Sequence, residues 1–291
     1  MGCGSFDRSS FATYSRSVGK SYDDETGRVK GQEYTMRRLN EQLNPKNVVR
    51  ECCNSEEHPN TIPIILALDV TGSMGNACKE TAEALGNIME TLYKKFKDVQ
   101  IMVMGIGDLA YDNAPIQISQ FESDVRIAEW LDKIFMEHGG GGNSYESYTA
   151  AWYMGLRHTK LDAYDKQGRK GIIITMGDEP MNPYLPMYEL SKVTGDNLQS
   201  NVETDDLYKM ASEKFDIYHI AVDDPKDSYS WFKDRIKETF GQLLGQKYMV
   251  STIQKLGATI CECVEKSING SNLLLGENIT TKTNTSNEIS W

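Results

Sequence analysis

The sequence predicts an α/β fold, a doubly wound and mostly parallel sheet with helices on both faces. Three observations carry this. Short runs such as residues 62–68 are apolar almost throughout, which suits strands buried between two layers. Between them lie longer stretches whose apolar residues recur every three or four positions, the pattern of amphipathic helices. Regular alternation of the two implies parallel strands joined by right-handed crossovers.

Taken in order, residues 1–60 read as a polar arm. Its first thirty positions are rich in Ser, Tyr, Gly and charge and lack an apolar period. They suit a flexible segment, or one lying along a body it cannot stabilise alone. Gly19-Lys20-Ser21 looks like the end of a phosphate loop, but Tyr14 stands where that loop needs its first glycine. Residues 33–43 read as one short helix stopped by Asn44-Pro45, and 51–60 as a polar connection.

The α/β domain spans 61–266. A strand at 62–68 precedes a helix whose stripe is Leu85, Ile88, Met89, Leu92 and Phe96. Strands follow at 99–104 and 116–119, then a helix over 123–135 with Val125, Ile127, Ala128, Leu131 and Ile134 on one side. Glycines 139–142 break the chain before a helix at 145–156. Strands at 171–176 and 217–222 and helices at 204–214 and 229–240 complete the pattern. Residues 267–291 are a polar tail rich in Asn, Thr and Ser.

A chain of 291 residues with 39% hydrophobic composition can bury a sizeable core without staples. Lys and Arg total 31 against 42 Asp and Glu, a formal charge of −11, which argues against nucleic acid or an anionic membrane as the main partner. The 6 cysteines do not form a zinc framework: Cys52 and Cys53 are adjacent, and Cys261 and Cys263 are too tightly spaced. They read as free thiols in a reducing compartment. No apolar run approaches the roughly 18 residues of a membrane span. The first residues do not resemble a signal peptide, and Phe6 breaks the myristoylation pattern, so the expectation is a cytoplasmic protein. Without secretion, the glycosylation patterns at Asn269, Asn278 and Asn284 are chance matches. His58, His138, His158 and His219 show no spacing suited to a metal, and the four tryptophans lie in no stacking motif with basic neighbours.

In open α/β sheets function gathers beyond the carboxyl ends of the strands. There the first strand runs into Asp69-Val70-Thr71-Gly72-Ser73-Met74-Gly75. One carboxylate and two hydroxyls at alternating positions can converge on a hard cation such as Mg2+ or Mn2+. Asp178 follows a later strand and brings a second carboxylate to the same edge. The glycine run leads to Asn143 and Ser144, an amide oxygen and a hydroxyl.

Asp69-x-Thr71-x-Ser73 after a buried strand, with the Gly-rich loop and Asp178 in that order, resembles the metal-ion-dependent adhesion site of von Willebrand factor type A domains. The resemblance covers roughly residues 61–265 and implies a Rossmann-like sheet. It also implies Mg2+ (or Mn2+) held directly or through water by Asp69, Thr71, Ser73, Asp178 and a residue of the middle loop. By placement that residue is Asn143, where the family commonly has Thr; Ser144 is the rival. The glycine run with Glu146 is similar to stand-alone bacterial and phage members. Glu146 reads as a first-turn acid favoured by the helix dipole, in preference to a ligand or an acceptor behind one.

The resemblance implies a non-catalytic module whose open metal position takes an Asp or Glu from a protein partner. Intracellular relatives often act beside ATPases or in multi-protein assemblies. No nucleophile with a positioned base is evident. Two alternatives remain. A strand-end Asp69 suits phosphoryl transfer, although Thr71 stands where haloacid-dehalogenase phosphatases carry a second carboxylate. A structural particle component could also keep the fold without using metal.

Overall fold

A computed structural model describes residues 4–31, 34–137, 143, 145–224 and 229–275, with side chains to 270. It is a mixed α/β structure around a six-stranded sheet. The strands are β1 (Ile62–Asp69), β2 (Val99–Ile106), β3 (Ile116–Glu122), β4 (Gly171–Gly177), β5 (Phe215–Val222) and β6 (Tyr248–Ser251). Their order is β6-β5-β4-β1-β2-β3, parallel except for β3, which runs antiparallel to β2 at one edge. The chain begins at the centre, walks outward through β2 and β3, then returns to the other flank of β1.

Alternation along β1 divides the core. Ile64, Leu66 and Leu68 join one hydrophobic cluster, whereas Ile65 and Ala67 join the other. The first cluster takes in Phe11 of α1 (Arg8–Ser17), the stripe of α2 (Gly75–Lys95), and residues of α3 (Arg126–Asp132) and α8 (Leu256–Leu275). The second takes in Trp152 and Tyr153 of α4 (Ala150–Arg157), Leu190 of α5 (Met187–Thr194), Leu207 of α6 (Thr204–Lys214) and Ile236 of α7 (Tyr229–Ile236). Every residue of β2 and β4 is buried, as runs apolar on both faces require. Among the described residues no helix is long and apolar enough to cross a membrane.

The structure departs from the sequence reading in several elements. Residues 8–17 form α1, started by Asp7, whose carboxylate accepts from Ser10 N at 2.9 Å. Phe6, Phe11 and Val29 are buried in the first cluster, and Arg28 pairs with Glu80 and Glu83 of α2 at 2.7 and 2.9 Å. The short helix expected at 33–43 is a single 3-10 turn, Glu41–Leu43; the Asn40 side chain starts it, and Leu43 is buried in the core. The helix expected from 145 begins at Ala150, because Leu109 N donates to Ser147 Oγ at 3.0 Å and Thr149 N to Asn182 Oδ1 at 3.2 Å, holding 145–149 as a loop. Finally, α8 runs on to Leu275, into the segment read as tail; 276–291 lie outside the described residues.

Candidate metal centre

Leu68 of β1 pairs with Met176 of β4, so Asp69 and Asp178 leave neighbouring strands at the same level. Both carboxylates are fully buried. Asp69 Oδ1 accepts from Thr71 N at 2.9 Å and from Thr71 Oγ1 at 2.6 Å, which curls the loop back over the strand end. One 3-10 turn, Gly72–Met74, then delivers the chain into α2. From that turn Ser73 Oγ donates to Asp178 Oδ1 at 3.0 Å. Asp69–Thr71 and Ser73–Asp178 are thus two hydrogen-bonded pairs at one rim, close enough that the charge of Asp178 bears on Asp69.

A tyrosine that the sequence did not single out completes the rim. Tyr148 Oη donates to Asp69 Oδ2 at 2.6 Å and accepts from Glu179 N at 3.3 Å, joining three loops. Its ring packs edge-on against His219 and Phe240, at centroid distances of 5.2 and 5.7 Å. Nothing local marks Tyr148, because its partner lies 79 positions away. A Cβ on Gly177 would stand 2.0 Å from the Tyr148 oxygen, so glycine is required for that approach.

The electrostatics are those of crowded acids. Burial, and next the charge of Asp178, pushes the Asp69 carboxyl above its ordinary range; the Thr71 and Tyr148 hydrogen bonds oppose this. Burial and the charge of Asp178 raise Glu179 to about 7, and burial raises Asp112 to about 6. Glu146 is not the first-turn acid its sequence position suggests but a buried loop residue bridged to Met181, and burial with the charge of Asp69 raises its carboxyl strongly. Asp108, in the loop after β2, is also buried. Burial pushes the Asp108 carboxyl above its ordinary value, and the half-buried Asn143 side chain, which reaches it, partly opposes this. Ser144 and glycines 139–142 lie outside the described residues.

Other groups singled out in the sequence fall elsewhere. Burial pushes His219 down to about 3, and its ring stacks on Phe240 at 3.5 Å. His58 and His158 make hydrogen bonds to carboxylates and backbone carbonyls away from the rim. The described cysteines are free thiols.

Among the described residues no three His, Cys, Asp or Glu side chains converge closely enough to cage an ion on their own. A cation here must therefore also take hydroxyl, amide and water oxygens. That donor set fits Mg2+ or Mn2+, which favour hard oxygen ligands and retain water.

No protein-family model matches the chain, and no curated protein matches it. Among solved structures it is similar to the pilus adhesin SpaC from Lactobacillus rhamnosus GG. One crystal structure matches at 13% identity and a TM-score of 0.51, over 77% of this chain and 32% of the adhesin chain. The open conformation matches at 12% identity and a TM-score of 0.49, over 77% and 31%. The likeness is one of fold: an α/β body built on a mostly parallel six-stranded sheet.

Proposed function

We propose that this chain is a von Willebrand factor A-like module, doubly wound about its sheet, that binds a protein partner through Mg2+ (or Mn2+). Asp69, Thr71, Ser73 and Asp178 hold the ion directly or through water. An Asp or Glu of the partner fills the remaining position. The module is non-catalytic and works in the cytoplasm, beside an ATPase or within a multi-protein assembly. The observation that carries this reading is the 3.0 Å contact between Ser73 Oγ and Asp178 Oδ1 at the ends of adjacent strands, beside a buried Asp69. Acids packed this closely repel one another, and a divalent cation relieves that repulsion.

Phosphoryl transfer on Asp69 is disfavoured by its surroundings. Both oxygens accept hydrogen bonds, Oδ1 from Thr71 and Oδ2 from Tyr148, and the side chain is fully buried. An in-line attack needs a phosphate ester to reach the carboxylate oxygen itself, whereas an ion can be held there through water.

The test is thermal unfolding of the wild type and Asp69→Ala with and without millimolar Mg2+, alongside partner capture in the presence and absence of chelator. Stabilisation by metal in the wild type alone is expected. A wild type indifferent to metal would remove the reading.

A further inference from the structure

Two carboxylate oxygens beside this rim are buried without a hydrogen-bond partner among the described residues, Glu146 Oε2 and Asp108 Oδ2. Their residues are only 3% and 2% exposed. They come from different loops that are pinned together one residue further on, where Leu109 N donates to Ser147 Oγ at 3.0 Å. Glu146 is held from its other side by the backbone bridge to Met181. The Asn143 side chain reaches the Asp108 carboxyl. The charges that bear most on Glu146 are those of Asp69, Glu179, Asp112 and Asp108, all negative.

A buried carboxylate without a partner is costly, and only a proton or a cation relieves it. A proton on Glu146 would leave an unmade hydrogen bond at Oε2. One divalent ion shared by Asp69 and Asp178 balances those two charges and leaves Asp108 and Glu146 uncompensated. Oxygen-only donors select a hard ion.

We propose that Asp108 and Glu146, with water, form a second divalent-cation site beside the Asp69–Asp178 pair, the Asn143 side chain holding Asp108 in place. It goes beyond the protein-binding reading, since it has its own donors. The rim then carries two ions, and the second rigidifies the loop over 145–149 that bears Tyr148.

Mn2+ binding to the full chain at neutral pH, followed by paramagnetic resonance of the free ion, tests this. The expected result is two equivalents in the wild type, one in Glu146→Gln and one in Asp108→Asn. Asp69→Asn removes the other equivalent. Far-UV circular dichroism checks folding, and the two conservative variants guard against one failing to fold. A single wild-type equivalent that is lost in Asp69→Asn but kept in Glu146→Gln and Asp108→Asn overturns the proposal, as do two equivalents that survive in both Glu146→Gln and Asp108→Asn; Glu146 is then a neutral structural acid. Loss of an equivalent in Glu146→Gln with none in Asp69→Asn would sink the first site and leave this one standing.

Discussion

Ser73 Oγ lies 3.0 Å from Asp178 Oδ1, although the two residues are 105 positions apart in the chain. The contact joins the loop after the central strand to the loop after its neighbour, and it makes Ser73→Ala an informative variant. Ser73 is half-buried but its partner Asp178 is fully buried, so its loss should cost about 1–3 kcal/mol of metal-free stability. Mg2+ affinity should fall at least about tenfold, a loss near 1.4 kcal/mol of binding. Titration calorimetry against the wild type decides it; unchanged affinity would remove Ser73 from the ligand set.

Tyr148→Phe deletes the hydroxyl that donates to Asp69 and accepts from Glu179 N. The ring keeps its packing, so the effect isolates two hydrogen bonds at buried groups. Urea unfolding in chelator should show a loss of about 1–3 kcal/mol. A loss within error would mean that the hydroxyl does not hold Asp69.

Gly177→Ala attacks the same contact from the backbone. Its Cβ would overlap the tyrosine oxygen, forcing Tyr148 away from Asp69. Destabilisation of about 1–3 kcal/mol is expected from overpacking, together with a weakened response to Mg2+. A Gly177→Ala variant as stable and as metal-responsive as wild type would contradict this close approach.

The raised acids give a pH signature. Asp112, at about 6, and Glu179, at about 7, hold protons in the folded chain that the unfolded chain releases near pH 4. The folded state therefore binds more protons in this window, and the stability they contribute is lost as pH climbs through 6 and 7. In chelator the melting temperature should fall between about pH 5 and pH 8. Mg2+ should flatten the slope, because it favours the ionised carboxylates. A melting temperature that rises across that window in chelator would reverse the sign assigned to these groups.

The N-terminal segment should behave as part of the body. Phe11 is 2% exposed and packs in the first cluster with residues of α2. Phe11→Ala should cost about 3–5 kcal/mol in urea unfolding. A negligible cost would mean the arm is dispensable to the core.

Sequence alone determined the parts whose signals are short-range. The buried strands at 62–68, 99–104 and 171–176 announce themselves because each is apolar on both faces. The Asp69 loop announces itself because its three oxygen donors lie within five positions of one another. Tertiary structure decided which distant groups meet there. The sheet register brings Asp178 to Asp69, and the Leu109–Ser147 tie turns a stretch of helical pattern into a loop that buries Glu146. Tyr148 reaches Asp69 by the same folding. For a related reason the sequence leaves the N-terminal arm between two readings, and the structure takes the one that lies along the body: its helix is capped by Asp7 locally but stabilised by the apolar surface of α2, which no window of the arm contains. Periodicity registers neighbours along the chain, whereas burial and charge at this rim come from neighbours in space.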